Sequence, residues 1–119
     1  MTNQETLRKM NSMLADTLME TLDINFTEIG SDFLTATMPV NSRVHQPMGL
    51  LHGGATVALA ETVASSAAHL FVGDPSKEVR VIEITANQLK RKRDGLVTAT
   101  ARPFHKGRTT QLWEVRVTD

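Results

Sequence analysis

The sequence lacks cysteine altogether and has little aromatic character, with no tyrosine, one tryptophan and four phenylalanines. Because there is no cysteine, a disulfide scaffold, thiolate metal sites and a cysteine nucleophile are all excluded. A chain without thiols also fits a reducing compartment. Any nucleophile, base or metal ligand has to come from other side chains.

Net charge and long apolar runs are missing as well. Thirteen Lys and Arg residues balance thirteen Asp and Glu residues, so no whole-molecule field attracts nucleic acid or an anionic membrane. No apolar stretch approaches the ~20 residues that a membrane-spanning helix needs. Residues 1–20 mix charged and apolar side chains and lack the apolar core of a signal peptide. We therefore expect a cytoplasmic protein without nucleic-acid or membrane partners.

Several motifs of common enzyme classes are also absent. The sequence has no G-x-S-x-G elbow, no P-loop and no dinucleotide-binding fingerprint. Its histidines do not have the spacing to carboxylates that a metal site requires. They are His45, His52, His69 and His105. The sequence predicts neither a metal nor a cofactor.

The apolar periodicity predicts one α+β domain over residues 1–119. The predicted elements are an N-terminal helix over about 4–20, a hairpin over 22–40, a long helix over 54–71, and strands over 79–89, 96–104 and 111–117. The long helix is apolar on nearly all sides, so an antiparallel sheet that wraps around it is the simplest arrangement. The edge strands of such a sheet stay open to pairing with a second copy.

Glu61 is the unusual residue of this long helix, because no other charged side chain lies between Gly53 and Asp74. Burying an ionised carboxylate without a partner costs several kcal/mol, so it is protonated, paired, or placed where a substrate reaches it. The last case makes Glu61 a candidate base or nucleophile. Ser65 lies one turn later on the same face, where its hydroxyl can hold a water or the carboxylate.

The start of the same helix offers complementary chemistry. Gly53 and Gly54 let a ligand approach the backbone amides, and the dipole of the helix start favours a developing negative charge. This is the outline of an oxyanion hole. Gln46 and His52 precede it, and both are able to donate a hydrogen bond to a carbonyl; each is equally compatible with a loop residue bonded to the backbone.

The spacing of these groups bears on assembly. Gly53 and Glu61 are eight residues apart, which is ~12 Å along a helix, whereas a reacting carbonyl has to lie within ~3 Å of both donor and attacking group. Two copies with antiparallel helices bring Gly53 of one chain to Glu61 of the other. We therefore expect at least a dimer, with sites between the subunits.

Two segments give the sequence a resemblance to a known family. "HQPMGLLHGGATVALAE" places a Gln, a His-Gly-Gly and a Glu at characteristic spacings, and "FHKGRTTQLWEVRV" lies near the end. With them, the chain from about residue 22 onward resembles the hotdog-fold acyl-CoA thioesterases. The similarity is greatest to the PaaI-like branch, which includes thioesterases for 1,4-dihydroxy-2-naphthoyl-CoA, for 4-hydroxybenzoyl-CoA of the Arthrobacter type, and for enterobactin proofreading.

This resemblance implies a role for each residue singled out above. Glu61 is implied as the catalytic carboxylate, Gly53 as the oxyanion donor, Gln46 and His52 as neighbours of the thioester, and Ser65 as a neighbour of the hydrolytic water. Family members are dimers that commonly pair into tetramers. They also turn after the equivalent of "VRVTD" and add a strand, so we expect either that this last strand is absent or that the sequence is shortened.

Basic residues are the candidates for binding coenzyme A. Lys90 and Arg91 precede one predicted turn, and His105, Lys106 and Arg108 flank the next. The two groups lie at opposite ends of a strand, ~30 Å apart at ~3.3 Å per residue, so one nucleotide cannot use both from one chain. The family pattern implies that neighbouring subunits share them. A solvated hairpin tip is the alternative for the first group.

These observations predict hydrolysis of an acyl-CoA thioester to a free acid and CoA. Glu61 either attacks the carbonyl, giving a mixed anhydride, or activates a water. A thioesterase that clears misloaded acyl or aryl carrier proteins is the alternative enzyme, and an acyl-CoA-binding module without turnover is the alternative from another class. The acyl preference stays open between aliphatic and aryl groups.

Overall fold

An antiparallel sheet packs against one long helix in the computed structural model, which describes residues 1–71, 91–106 and 111–119, with the backbone alone for 105 and 106. The helices are α1 (Asn3–Ser12), α2 (Leu18–Thr21) and α3 (Gly53–Leu70), and a 3₁₀ turn covers Ser42–Val44. The strands are β1 (Asn25–Ile29), β2 (Leu34–Pro39), β3 (Leu96–Lys106) and β4 (Gln111–Thr118). This is the α+β architecture that the sequence predicts.

The described strands follow one another in the sheet in the order β1-β2-β3-β4. The predicted hairpin over 22–40 is confirmed as β1 and β2, although its first strand begins only at Asn25. The last two predicted strands are confirmed as β3 and β4. The strand predicted over 79–89 lies outside the described residues.

The core lies between the sheet and α3. Successive side chains of a strand point to opposite faces, and the inward ones of β2 and β3 are fully buried. They are Leu34, Ala36 and Met38 on β2 and Ala99 and Ala101 on β3. The small alanines of β3 allow the helix to approach the sheet closely, and α3 contacts β2, β3 and β4.

The helix α3 has two different sides. Leu59, Val63 and Ala67 are completely buried in the core at spacings of four residues, as expected for a helix face that packs on a sheet. Glu61 and Ser65 point away from this stripe and are half-buried. The described strands therefore cover one side of the helix, and the residues on the other side are half-buried.

The N-terminal helix predicted over 4–20 is divided by a turn. Asp16 takes a left-handed φ of 63°, and the Thr17 hydroxyl donates to a backbone carbonyl three residues earlier at 2.6 Å. Such local side-chain bonds compete with a continuing helix. The turn also changes the register of the apolar face, because Leu18 is 58% exposed while Met19 packs against the core.

One edge of the sheet is covered by α1. The Asn11 side chain accepts from the Phe26 amide at 2.8 Å and donates to the Phe26 carbonyl at 2.9 Å, and the Asn3 side chain donates to the Ile29 carbonyl at 3.1 Å. These amides take the place of a neighbouring strand. The expectation that the edge strands stay open is therefore wrong for the part of β1 at Phe26 and Ile29, where three backbone groups are bonded to α1. None of the helices in the described ranges is long and apolar enough to cross a bilayer.

Candidate active site

The loop before α3 is a small hairpin with a tight turn at its tip. The His52 amide donates to the Val44 carbonyl at 2.7 Å and the Gln46 amide to the Leu50 carbonyl at 2.8 Å. At the tip, the Gly49 amide donates to the Gln46 carbonyl at 2.9 Å, and Gly49 has a φ of 75° that favours glycine. The loop is therefore held by its own backbone, and it fixes Gln46 and His52 in one small unit.

The Gln46 side chain braces this turn with one of its two polar groups. Its Oε1 atom accepts a hydrogen bond from the Met48 amide. A glutamine amide has one carbonyl oxygen and one NH₂ group, so the NH₂ group is the part left to meet a ligand. Gln46 thus presents a hydrogen-bond donor, which is the polarity that a carbonyl group requires.

His52 caps the long helix with its ring. The His52 Nδ1 atom accepts from the Gly54 amide at 2.7 Å, and its carbonyl accepts from Ala55 and Thr56 at 3.0 and 3.3 Å. An acceptor Nδ1 carries no proton, so in the neutral ring the proton is on Nε2. The exposed His52 ring therefore also presents a donor.

The two glycines at the start of α3 have different surroundings. A methyl group on Gly54 would lie 2.9 Å from the Cε1 and Nδ1 atoms of His52, so only glycine leaves room for the capping ring. Gly53 is the first residue of the helix, where the backbone amides point out along the axis at the positive end of the dipole. A helix start of this kind favours a developing negative charge.

Glu61 and Ser65 form a pair two turns further along. The Ser65 hydroxyl donates to the Glu61 Oε1 atom at 3.3 Å, as their i, i+4 spacing predicts. Within the described ranges, no Lys or Arg makes an ion pair with Glu61. One carboxylate oxygen of Glu61 is therefore held by a hydroxyl, and no partner of the other lies among the described residues.

The structure brings the predicted residues together as two groups. Gln46, His52 and Gly53 lie at the start of α3, whereas Glu61 and Ser65 lie in its middle. Eight residues of helix separate Gly53 from Glu61, which is ~12 Å. A single chain therefore does not place the carboxylate and the donors on one carbonyl.

The basic residues are only partly described. Arg91 is exposed and belongs to a segment beside the loop, since the Leu51 amide donates to the Lys92 carbonyl at 2.7 Å. Lys90 and Arg108 lie outside the described residues. His105 and Lys106 form the far end of β3, and this end is the one opposite to Arg91.

Elsewhere in the described part of the chain, the possible sites are a metal cluster and a surface cleft. No cluster of three His, Asp or Glu side chains suited to a metal ion occurs among residues 1–71, 91–104 and 111–119. A cleft of about 250 Å³ lies on the sheet face turned away from α3. Its lining consists of Thr100, Arg102, Glu114, Arg116 and Thr118. The cleft contains none of the residues that the sequence singles out.

Comparisons with known proteins identify the family that this chain resembles. Residues 48–119 match the family model of the thioesterase superfamily. The 1,4-dihydroxy-2-naphthoyl-CoA hydrolase of Escherichia coli is 44% identical over 96% of this chain and 83% of its own length. The proofreading thioesterase EntH of Cronobacter turicensis is 45% identical over 96% of this chain and 82% of its own length. The crystal structure of a Haemophilus influenzae thioesterase superposes with a TM-score of 0.90 at 40% identity, covering 93% of this chain and 77% of that one.

Proposed function

Since the chain belongs to the thioesterase superfamily and has its hotdog fold, we propose that it hydrolyses acyl-CoA thioesters to the free acid and CoA. One observation carries the proposal: Glu61 stands half-buried on α3 with the Ser65 hydroxyl as its hydrogen-bond partner. The CoA thioester as substrate is supported by the similarity to the naphthoyl-CoA hydrolase. Low aromatic content leaves an aryl ring few stacking partners, but this does not decide between aryl and aliphatic acyl groups. Both are therefore candidates.

The donors at the start of α3 would polarise the thioester carbonyl. The Gln46 NH₂ group and the His52 Nε2–H group have their acceptor counterparts occupied by Met48 and Gly54, so both are set to donate. The amide of Gly53 at the helix start would stabilise the oxyanion as the carbonyl carbon becomes tetrahedral. Removing one donor of this kind typically costs about 10²–10³ in kcat.

Glu61 would supply the carboxylate by one of two routes. In the first route, its oxygen attacks the carbonyl carbon, the carbon–sulfur bond breaks, CoA leaves as the thiolate, and water cleaves the resulting anhydride. In the second, Glu61 takes a proton from a water that attacks directly. Single-turnover hydrolysis in oxygen-18 water separates them, because label enters Glu61 only by the first route.

Two subunits are needed to complete this site. The half-exposed side of α3 that carries Glu61 consists of small residues, among them Ala64 and Ser65, so a second helix is able to approach closely. If the two helices are antiparallel, Gly53 of one chain lies beside Glu61 of the other, and a dimer has two sites. Pairing of such dimers into tetramers follows the family pattern.

The phosphates of CoA would bind the basic residues at either end of β3. Lys90 and Arg91 form one group and His105, Lys106 and Arg108 the other. The 11 residues of β3 span ~36 Å at ~3.3 Å each, which supports contributions from two neighbouring subunits. Arg91, in the first group, lies in the segment beside the loop that holds Gln46.

Hydrolysis of a thioester on a carrier protein is the second candidate function. The proofreading thioesterase EntH is as similar to this chain as the naphthoyl-CoA hydrolase, at 45% against 44% identity. Both substrates present the same pantetheine arm, so the Glu61 chemistry serves either. They differ in what lies beyond the arm, which is a nucleotide in one case and a protein surface in the other.

A panel of thioesters tests these functions together. CoA release is measured with aryl-CoA and fatty acyl-CoA substrates, and acid release with the same acyl groups on pantetheine-loaded carrier protein. Turnover of the CoA thioesters at least tenfold above that of the carrier-protein thioesters is the expected result. The reverse order would assign the second function, and binding of acyl-CoA without release of any product would indicate a binding module.

A further inference from the structure

His45 contacts a part of the chain far away in sequence. It pairs with Leu51 across the loop hairpin as an antiparallel bridge, and its Nε2 atom lies 2.7 Å from the Arg93 carbonyl oxygen. A carbonyl only accepts, so Nε2 carries the proton and His45 donates. Next to it, the Leu51 amide donates to the Lys92 carbonyl at 2.7 Å.

These two bonds fasten the loop to the basic segment 91–93. Both residues of the bridged pair bond to the segment: Leu51 through its backbone amide and His45 through its side chain. On the other side of the segment, the half-buried Lys92 ammonium lies 3.9 Å from a carboxylate oxygen of the exposed Asp119, which is a weak contact. Two hydrogen bonds therefore join the loop to the segment, and His45 supplies the one that comes from a side chain.

The Arg93 side chain also lies near the loop. A methyl group on Gly49 would lie 3.9 Å from an Arg93 guanidinium nitrogen, so the Arg93 side chain lies over the turn that holds Gln46. The backbone of Gly49 is left-handed, with φ at 75°. The exposed Arg93 side chain is thus a further neighbour of the turn that holds Gln46.

We propose that His45 is a positioning residue that locks the loop carrying Gln46 and His52 against the basic segment carrying Arg91. The inference rests on the proposed thioesterase function, in which the loop meets the thioester and the segment meets the phosphates. A CoA thioester has a fixed reach between its thioester and its phosphates. A shift of about 1 Å between the two parts of the protein is enough to reduce turnover strongly.

The kinetic constants distinguish a positioning role of His45 from a purely structural one. Loss of the His45 bond changes the position of the loop, which lowers kcat, and of the basic segment, which raises KM. Loss of Arg91 alone removes a remote and uniform contact, which raises KM and leaves kcat close to that of the wild type. A structural role for His45 lowers thermal stability and leaves both constants of the folded enzyme as they were.

Three variants test the lock. His45→Phe keeps a ring of similar size and removes the donor, whereas His45→Gln places an amide NH₂ group near the position of Nε2. Arg43→Gln changes an exposed neighbour and serves as the control. The kinetic constants are measured with the acyl-CoA that the wild type turns over fastest, and Tm is measured on the same preparations.

We expect His45→Phe to lower kcat/KM about tenfold, through both constants, which is the scale of one lost hydrogen bond. His45→Gln should recover to within about threefold of the wild type, and Arg43→Gln should match it. A His45→Gln enzyme as poor as His45→Phe, or a His45→Phe enzyme that differs from the wild type only in Tm, would overturn the proposal.

A failure of the proposed function is distinguished from a failure of the His45 lock by two further measurements on the wild type. A wild type that releases CoA from no thioester contradicts the function, and the lock is then tested by the affinity for CoA, measured by calorimetry. The lock predicts weaker binding by His45→Phe and recovery by His45→Gln. A wild type that binds no CoA overturns both inferences, because no ligand then spans the loop and the segment.

Discussion

The Nδ1 atom of His52 accepts a hydrogen bond from the amide of Gly54 at 2.7 Å, and this bond gives the imidazole two roles. It caps the long helix, and it fixes the proton of the neutral ring on Nε2, facing away from the cap. A substitution that keeps the cap and removes the outer donor therefore separates stability from catalysis.

His52→Asn is that substitution. Asparagine is a preferred N-cap residue, so its side-chain oxygen replaces Nδ1, but the side chain is too short to carry a donor to the position of Nε2. We expect kcat/KM to fall at least tenfold with a Tm near that of the wild type. His52→Ala should lose the same activity and also about 1 kcal/mol of stability, the usual cost of a lost cap.

Gly54→Ala displaces the His52 ring without changing His52 itself. Its methyl group would lie 2.9 Å from two ring atoms of His52, so the imidazole has to move although its chemistry is unchanged. Activity should fall as in His52→Asn. Full activity in Gly54→Ala, or a loss in His52→Asn that follows Tm, would show that the ring matters only as a cap.

The oxyanion donor is tested by Gly53→Pro. Proline lacks the backbone N–H group and is well tolerated at the first position of a helix. The preceding residue has to be extended, which His52 already is, with φ of −69° and ψ of 132°. We expect kcat to fall by about 10²–10³ while the circular dichroism spectrum is kept. Gly53→Ala retains the N–H group and is the control; an equal loss in both variants would contradict the assignment.

Mixing two inactive variants tests whether the site lies between subunits. Glu61→Gln and Gly53→Pro chains are unfolded together, refolded and assayed. If Gly53 of one chain serves Glu61 of the other, each mixed dimer has one intact site, and random mixing restores about a quarter of the wild-type activity. A site within one chain restores none. A fully active monomer of 13.1 kDa in light scattering would also exclude the shared site.

Phosphate binding is tested by changing Lys90 and Arg91 together to Ala. The nucleotide end of the substrate is remote from the reacting carbonyl and contributes largely uniform binding, so KM should rise while kcat stays close to that of the wild type. An Arg8→Ala variant at the exposed N-terminal helix is the control for loss of charge. An unchanged KM would move the phosphate site to the group from His105 to Arg108.

The long helix was the part of the fold that the sequence defined best. Its predicted range of 54–71 differs by one residue at each end from Gly53–Leu70, because the glycine pair and the unbroken run of small apolar residues are local signals. The hairpin follows from alternation and from the turn around Gly30. Such features depend on residues close together in the chain, so a pattern is sufficient to find them.

Contacts between distant residues were not predictable in this way. The Asn11 side chain bonds to Phe26 across 15 residues, and His45 bonds to Arg93 across 48. Neither contact has a periodic pattern, and the sequence marks His45 only as a histidine without metal-ligand spacing. Its position next to Gln46 in a loop was the one available signal. The pair of Glu61 and Ser65, in contrast, was predictable because helix geometry alone joins residues four apart.

The Ser65 hydroxyl that donates to Glu61 at 3.3 Å allows the carboxylate to be tested with its surroundings intact. Glu61→Gln keeps the volume and the acceptor oxygen but removes the charge. The variant should fold and bind substrate, while kcat falls at least ~100-fold, the scale of losing a base or nucleophile. Glu28→Gln, at an exposed position of β1, is the control and should change neither kcat nor Tm.

The thermal stability of Glu61→Gln then distinguishes a catalytic role of the carboxylate from a structural one. Glu61 is half-buried and has no ion pair in the described part of the chain, so removing its charge relieves desolvation without breaking a bridge. Tm should therefore equal or exceed that of the wild type, as is common when a residue is kept for function at a cost in stability. A structural, ion-paired Glu61 predicts the opposite, with stability lowered by roughly 3–5 kcal/mol and activity lost only with the fold. Both quantities are measured on one preparation, and near-normal turnover by Glu61→Gln would remove Glu61 from the reaction.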